Sequence, residues 1–326
     1  MLVMCHFSSR TKNKIKRIIK AFTPPVFLKI YSYSKNATKN NTHQIIETNN
    51  SNVERKIETN SVFNLSINSV FNTISESIII GNGPSLKTTI DKHLIFFNNK
   101  VKFCVNEFAL SEYFDVIKPD FYVFADPFYW DPNCPEVHKK DIFSVIENIN
   151  KSVTWDMYIL LPQQAKNWNY FQKLPNESTN IKIMYFNSFT TVPASENKFM
   201  MYKNNEAMIR YQTVLVATIF ISLNLGFKTT YIVGADMSLH ENVSVNWNNV
   251  VCNNTTQLHF FDEPKIQFPF WKDGNGAIFK MDELFAAFAL MFKGFLELEE
   301  YSKFLGVKIY NASSRSFIDA FERYKI

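Results

Sequence analysis

Short runs of β-branched and aromatic residues alternate with helical patterns from about residue 63 to residue 326. The predicted strands are 77–80, 101–105, 121–125, 157–161, 181–186, 229–233 and 307–310, and the predicted helices are 85–93, 108–117, 137–149, 207–225 and 282–305. Residues 207–225 are apolar on nearly every face, which is typical of a buried helix. This alternation predicts an α/β fold with a mostly parallel sheet and helices on both faces.

The first 62 residues have a different pattern. Residues 12–22 place isoleucines and a phenylalanine at helical spacing with lysines between them, so a helix there has one apolar stripe and one cationic face. Residues 1–35 are therefore predicted to form a basic amphipathic tail that lies on an anionic membrane surface. A solvated helix packed on the body, or a partner-binding arm, is the alternative. Residues 36–62 are rich in Asn, Thr and Ser and are predicted to be a disordered linker.

The net charge of +5 belongs to this tail. Residues 1–35 contain eight Lys and Arg and no Asp or Glu, which leaves 27 basic and 30 acidic side chains in the other 291 residues. A body with a net charge of −3 argues against a nucleic-acid partner. The four cysteines are scattered without a CxxC pair, which favours reduced thiols, and no apolar run reaches the ~18–20 residues that a membrane span requires.

Polar residues and glycines follow four of the predicted strands. They are Gly81, Asn82, Gly83, Pro84 and Ser85 after the first strand, Asn106 and Glu107 after the second, Asp126 and Pro127 after the third, and Gly234 and Asp236 after the strand 229–233. Ligands of open α/β sheets bind beyond the carboxyl ends of the strands. Glycines admit a close backbone approach to a ligand, and the helix after Pro84 offers free N–H groups to a phosphate.

Each of these residues has an ordinary structural alternative, because Asn and Asp commonly cap helices and a Gly-x-Gly-Pro segment can be a tight turn without a ligand. Taken together, the cluster favours a nucleotide site that hydrogen-bonds a base and a ribose. There is no DxD sequence and no His, Cys and carboxylate spacing suited to a metal, so no metal cofactor is expected.

Two histidines and one arginine are candidates for catalysis. His240 and His259 follow the strand 229–233, in a region of about 238–281 expected to form a helical or loop lid. His259 precedes two phenylalanines and could act as a general base; a packed, hydrogen-bonded histidine is the alternative. Arg315 follows the last strand at the same sheet edge, where it either stabilises a leaving phosphate or forms a surface salt bridge.

Several motifs resemble those of one enzyme family. The motifs are Ile-Ile-Ile-Gly-Asn-Gly-Pro-Ser-Leu at 78–86, Cys-Val-Asn-Glu-Phe at 104–108, Val-Phe-Ala-Asp-Pro at 123–127, Leu-Asn-Leu-Gly-Phe-Lys at 223–228, Tyr-Ile-Val-Gly-Ala-Asp at 231–236 and Val-Lys-Ile-Tyr-Asn-Ala at 307–312. They resemble, in patches over about residues 77–320, the bacterial sialyltransferases of glycosyltransferase family 42. Related Gly-Asn-Gly-Pro-Ser-Leu proteins of surface-polysaccharide clusters and flagellin glycosylation look at least as similar.

The resemblance implies a Rossmann-like, GT-A-like domain at 63–326 that transfers a nonulosonic acid from a CMP donor without a metal. It implies that Asn82, Ser85 and Asn106 hold the cytidine nucleotide and that Thr213 contacts the donor. His259 would be the base, with His240 as second choice.

The sequence also departs from the family pattern at four positions. Asp126 replaces an Asn, Val214 replaces a Ser, and Ser238 and Ser244 stand where the family has tyrosines that help the phosphate leave. Thr213, Ser238 and Arg315 remain as donors to the leaving phosphate. These departures bear on the leaving-group machinery and on the identity of the donor.

The resulting hypothesis is an inverting glycosyltransferase of bacterial lipopolysaccharide or capsule biosynthesis, acting on a glycan or lipid-linked acceptor. It would be cytoplasmic and peripheral at the inner face of the cytoplasmic membrane. A transferase for another nucleotide sugar, and a pyrophosphokinase-like or non-catalytic relative, are the alternatives. The sequence leaves a homo-oligomer open.

Overall fold

A computed structural model describes residues 74–129, 136–167, 180–192, 196–254, 268–270 and 277–326. The predicted tail (1–35), the predicted linker (36–62) and His259 lie outside these ranges. The described elements, in chain order, are β1 (Glu76–Ile80), α1 (Ser85–His93), β2 (Val101–Val105), α2 (Phe114–Ile117), β3 (Phe121–Val123), α3 (Glu136–Ser152), β4 (Met157–Pro162), β5 (Ile181–Phe186), α4 (Lys198–Lys203), α5 (Val214–Leu225), β6 (Thr229–Val233), β7 (Val243–Val245), β8 (Val251–Asn253), β9 (Phe268–Pro269), α6 (Met281–Leu305), β10 (Lys308–Asn311) and β11 (Glu322–Arg323).

Eight strands form one sheet in the order β11-β10-β6-β1-β2-β3-β4-β5, and every neighbouring pair is parallel. From β1 the chain adds β2 to β5 in one direction, and then returns to place β6, β10 and β11 on the other side of β1. Ile79 of β1 thus lies opposite Phe103 of β2 on one side and Ile232 of β6 on the other. The predicted mostly parallel α/β sheet is confirmed.

Both faces of the sheet are buried, which explains why the strands read as continuous apolar runs. Ile79 and Phe103 face a core formed with α5 and α6. Ile78, Ile80 and Cys104 face the opposite core, which α1 and α3 cover. The sheet is therefore the middle layer of three, and its carboxyl edge is left to the loops.

The ends of the two long apolar helices follow from local chemistry. Gly226 (φ +97°) ends α5 and Gly306 (φ +68°) ends α6, and in both cases a left-handed residue suits glycine. The predicted start of the helix at 207 is wrong: α5 begins at Val214, because Thr213 caps it. Ala207, Met208 and Ile209 are buried but not helical, so their apolar character reflects burial rather than helix.

Two other predicted segments also differ. Residues 108–117 do not form one helix; a 3₁₀ turn (Asn106–Leu110) is followed by the single turn of α2. The described part of the expected helical or loop lid contains a 3₁₀ turn (Leu239–Asn242) and an antiparallel sheet in the order β7-β8-β9. Strands of two or three residues give too short a pattern for a sequence-based prediction.

The most apolar helix, α5, has 12 residues and is covered by protein on all sides, as its ten buried side chains show. Of the helices that the structure describes, none combines the length and apolar character needed to cross a membrane.

Candidate active site

The direction in which strands are added reverses at β1, between β6 and β2. In a doubly wound sheet, a crevice for ligands opens outside the carboxyl ends of the strands at such a reversal. Two loops meet there: the β1 loop (residues 81–84) and the β6 loop (residues 234–238). The candidate site therefore lies around these two loops.

The glycines of the two loops allow the loops to touch each other. The N–H of Gly81 donates to the carbonyl of Val233 (2.9 Å), and the N–H of Gly83 donates to the carbonyl of Gly234 (2.8 Å). A Cβ on Gly81 or on Gly83 would lie 2.6 Å from the carbonyl oxygen of Gly234. The close neighbour of both glycines is therefore the protein's own backbone, as in the tight turn that the sequence left open as the alternative.

Asp236 caps helix α1 from the β6 loop. Its carboxylate is 4% exposed and accepts from the N–H of Ser85 (3.2 Å) and from Oγ of Ser85 (2.7 Å). The next amide, on Leu86, donates to the carbonyl of Gly83, and Pro84 has no N–H. A carboxylate therefore accepts from Ser85 at the start of α1, where the sequence suggested a phosphate.

Burial raises the pKa of Asp236, while the hydrogen bonds from Ser85 and the charge of Arg315 act in the opposite direction. The guanidinium is ion-paired with the carboxylate of Glu241 and lies 5.7 Å from the ring centre of Phe317. Arg315 thus forms a salt bridge, which the sequence offered as the alternative to stabilising a leaving phosphate.

Serines from the loop after β10 hold the β6 loop in place. Oγ of Ser313 accepts from the N–H of Ala235 (3.0 Å), and Oγ of Ser316 donates to the carbonyl of Ala235 (2.6 Å). The N–H of Phe317 donates to the carbonyl of Asp236 (2.9 Å). The position of Asp236 is therefore fixed by the C-terminal strands as well as by β6.

Two amide side chains stand at the neighbouring ends of β1 and β2. Nδ2 of Asn82 donates to the carbonyl of Val105 (3.2 Å), which ties the two strand ends together. Asn106 has φ +47°, a left-handed conformation that Asn tolerates, and its carbonyl accepts from the hydroxyl of Tyr122 (2.6 Å). Within the described residues, Oδ1 of Asn82 and Oδ1 of Asn106 are both buried and have no hydrogen-bond partner.

The ends of the next strands bring carboxylates and hydroxyls together. The hydroxyl of Tyr129, in the 3₁₀ turn that Pro127 begins, donates to Glu107, and burial together with that carboxylate raises the pKa of Tyr129. Burial and the charge of Asp126 raise the pKa of Tyr211, whose hydroxyl is hydrogen-bonded to Ser188.

The start of α5 supplies hydrogen-bond donors. Oγ1 of Thr213 accepts from the N–H of Leu215 (3.4 Å), so its own O–H proton remains able to donate. Nε2 of Gln212, the preceding residue, is buried without a partner in the part of the chain that the structure describes. Because α5 packs on β1 and β2 and runs antiparallel to them, this helix start lies at the carboxyl edge.

His240 and Ser238 lie further along the β6 loop and the 3₁₀ turn after it. The ring of His240 contacts Phe317 edge-on (4.4 Å between centres), with Phe288 and Phe292 each at 6.3 Å. His240 therefore has the packed aromatic surroundings that the sequence offered as the alternative for His259. The carbonyl of Ser238 accepts from the N–H of Glu241, and its side chain makes no capping bond.

Tyr211, Gln212 and Ser188 were not predicted as site residues. Tyr211 and Gln212 precede a helix and do not follow a strand, so reading only the strand ends overlooks them. Ser188 follows the edge strand β5 with no distinctive motif. Among the described residues, no group of three or more His, Cys, Asp or Glu side chains is arranged to hold a metal ion.

The fold is that of a doubly wound α/β protein, and amides, hydroxyls and carboxylates line the candidate site at the carboxyl edge of its sheet. No protein-family model matches the chain, and no curated protein matches it. Among solved structures, the chain is similar to the MAf glycosyltransferase from Magnetospirillum magneticum AMB-1, with a TM-score of 0.43 and 11% sequence identity. The match covers 77% of this chain and 33% of that chain, so this chain spans about a third of that protein's length.

Proposed function

We propose that this chain is a glycosyltransferase of bacterial surface-glycan biosynthesis that transfers a nonulosonic sugar from a CMP donor to a glycan acceptor. The observation that carries the proposal is the pair of buried amide oxygens of Asn82 and Asn106 that lack partners among the described residues. A buried acceptor without a donor costs free energy, and a ligand that supplies donors removes that cost. The amino group of cytosine and the ribose hydroxyls are such donors.

The donors at the start of α5 suit the phosphate. Gln212 offers an N–H₂ group that has no partner among the described residues. Thr213 retains its O–H proton, and the helix start carries partial positive charge. This arrangement moves the proposed phosphate position from α1, where Asp236 already caps the helix, to α5. Hydrogen bonds at this position stabilise the negative charge that develops as the nucleotide leaves.

The charge of the edge favours a donor with one phosphate. Glu107, Asp126 and Asp236 lie at the ends of β2, β3 and β6, and Arg315 is already paired with Glu241. Neighbouring carboxylates repel each phosphate group, so a diphosphate is disfavoured more strongly than a monophosphate. A CMP-sugar carries a single phosphate, in contrast to UDP- and GDP-sugars.

Calorimetry on the full chain tests the donor. We expect CMP to bind more tightly than UDP, GDP or ATP with Mg²⁺, and we expect Asn106→Gly to weaken CMP binding about tenfold through the lost hydrogen bond. Glycine is chosen because it adopts the φ of +47° at this position without strain. Asn98→Ala, an exposed amide between α1 and β2, is the matched control.

The proposal fails if CMP shows no preference, or if Asn106→Gly and Asn98→Ala behave alike. Tighter binding of UDP or GDP would indicate another nucleotide sugar as donor. Tight binding of ATP that depends on Mg²⁺, without affinity for CMP, would favour a pyrophosphokinase-like relative.

Turnover tests the base. The acceptor hydroxyl must lose its proton as it attacks, and a histidine of near-neutral pKa is suited to this role. CMP release from a CMP-nonulosonic acid should fall by about a hundredfold or more in His259→Ala or in His240→Ala. If both variants turn over like the wild type, neither histidine is the base.

We also propose that residues 1–35 dock the enzyme on the anionic inner face of the cytoplasmic membrane, near a lipid-linked acceptor. The eight basic residues of this segment support the proposal, since each contributes about 1 kcal/mol near such a surface. Sedimentation with phosphatidylglycerol vesicles should be lost on deleting residues 1–35. Sedimentation that persists after the deletion would place the anchor elsewhere.

A further inference from the structure

The hairpin of β7 and β8 carries a rigid turn. Oδ1 of Asn246 accepts from the N–H groups of Asn248 (2.9 Å) and Val250 (3.1 Å), and the N–H of Asn249 donates to the carbonyl of Asn246 (3.0 Å). Asn249 takes a left-handed conformation with φ +57°, which Asn tolerates. The turn thus has a defined shape before any ligand arrives.

Trp247 lies in this turn and is exposed to solvent. The side chain is fully exposed (103%), and Val245, the last residue of β7, is 49% exposed. By contrast, Nε1 of Trp155 donates to the carbonyl of Pro119 (2.8 Å), and its ring contacts Phe114. Trp247 therefore adds little to the stability of the fold, while a rigid, amphipathic ring on a fixed turn is well suited to binding.

The sequence around Trp247 carries no charged side chain. Residues 242–261 contain no Asp, Glu, Lys or Arg. The exposed neighbours Asn248 and Asn249 present amide groups instead. Binding to an anionic lipid surface or an acidic polymer requires Lys or Arg side chains nearby. An uncharged ligand with many hydroxyl groups can instead stack on an indole face and hydrogen-bond to amides.

The hairpin is anchored beside the candidate active site. The chain reaches it directly from the β6 loop, and the N–H of Asn254 donates to the carbonyl of Asn242 (2.9 Å) at its base. Val251 of β8 is buried in the same core as β6. The four residues from Val243 to Trp247 span at most about 14 Å.

We propose that Trp247, together with the amides of Asn248 and Asn249, binds an uncharged sugar unit of the acceptor glycan. The indole face stacks on the C–H face of the sugar ring, and the two amides hydrogen-bond its hydroxyls. The inference rests on the proposed function, because it assigns the acceptor side of the same site. Trp247, Asn248 and Asn249 together form a platform, which would hold the part of the acceptor glycan that lies away from the reacting hydroxyl.

Fluorine NMR on the full chain tests the platform. The chain has five tryptophans, so 5-fluorotryptophan labelling gives five resonances, and the one missing in Trp247→Phe belongs to Trp247. Cellobiose, chitobiose and lactose are titrated as uncharged probes up to about 50 mM, which detects millimolar affinity. We expect at least one to shift the Trp247 resonance saturably and to leave the other four unchanged.

Calorimetry with that disaccharide separates binding from folding. Trp247→Ala should weaken it about tenfold or more, because the stacked apolar area is lost. Phe285→Ala, which removes an exposed aromatic ring from α6, is the control and should bind as the wild type does. Both variants should melt at the wild-type temperature.

Two results would overturn the platform. One is that no disaccharide shifts the Trp247 resonance; the other is that phosphatidylglycerol vesicles shift it while the sugars do not. CMP binding to Trp247→Ala should equal that of the wild type, so failure of the CMP donor and failure of the sugar platform are seen in different measurements.

Discussion

A methyl group on Gly83 tests the contact between the β1 and β6 loops. The added Cβ would lie 2.1 Å from Oδ2 of Asp236 and 2.6 Å from the carbonyl oxygen of Gly234. Both distances are far below the ~3.5 Å of an ordinary contact. Asp236 can rotate away only by giving up its bonds to Ser85, and the carbonyl of Gly234 moves only with its loop.

The cost can be worked out from these neighbours. Moving the loops apart stretches the 2.8 Å bond from Gly83 to Gly234 and the 2.7 Å bond from Ser85 to Asp236. Overpacking costs about 1–3 kcal/mol, and these bonds add about 1–2 kcal/mol. We expect Gly83→Ala to lower the free energy of unfolding by about 3–4 kcal/mol, which lowers Tm by about 10 °C in a chain of this size.

Urea denaturation at pH 7 measures this loss, with Gly226→Ala as control. Gly226 has φ +97° and no atom within 4 Å of its added Cβ, so Gly226→Ala introduces only backbone strain of about 1–2 kcal/mol. Asp236→Ala removes one of the clashing atoms, so Gly83→Ala and Asp236→Ala together should cost less than their sum. A loss at Gly83 no larger than at Gly226, or simple additivity, would refute the reasoning.

Three further variants probe the elements around the site. Thr213→Ala removes the side-chain cap of α5 and should cost about 1 kcal/mol in urea denaturation, whereas Thr213→Ser should retain stability. Tyr301→Phe leaves the half-buried Oδ1 of Asn224 without its donor and should cost about 1–3 kcal/mol. Asp236→Asn removes a carboxylate whose folded-state pKa is raised, so its contribution to stability is fully present below the unfolded pKa of about 3.9 and is lost as the pH rises through the folded pKa. The urea midpoint of Asp236→Asn relative to the wild type should therefore increase from about pH 4 upward and then level off.

Each of these expectations has a contrary result. Equal stability of Thr213→Ala and Thr213→Ser would show that the hydroxyl does not stabilise the start of α5. A Tyr301→Phe chain as stable as the wild type would mean that Asn224 finds another donor. A urea midpoint of Asp236→Asn that falls relative to the wild type as the pH rises would contradict the direction of the Asp236 pKa.

The central strands could be predicted from the sequence because both of their faces are buried. β2, β5 and β6 have the predicted bounds, and Gly226 and Gly306 end their helices as expected. A strand that is buried on both faces is a continuous run of apolar residues, and such a run can be recognised from the residue types alone. The strands β7, β8 and β9 depend on pairing with each other, and their two or three residues carry too little pattern.

The candidate site was predicted only in part, because residue type does not tell which partner a side chain finds. Asn82 and Asn106 lie at neighbouring strand ends, where the sequence placed them. Asp236 also lies at that edge, but its carboxylate accepts a hydrogen bond from Ser85, which is 151 positions away in the sequence. Gln212 was not predicted because it precedes a helix, and the starts of helices lie at this edge together with the ends of strands.

The bracing of the β6 loop by Ser313 and Ser316 has a consequence for the order in which the protein assembles. Strands β1 to β5 are sheet neighbours in the order of synthesis, so this half of the sheet can form while the rest is still being made. The β6 loop acquires its hydrogen bonds only after residues 313–317 have left the ribosome. Ser313 follows Ala235 by 78 positions, so the residues that hold the β6 loop are translated well after the loop itself, and a chain that stops between them lacks this bracing.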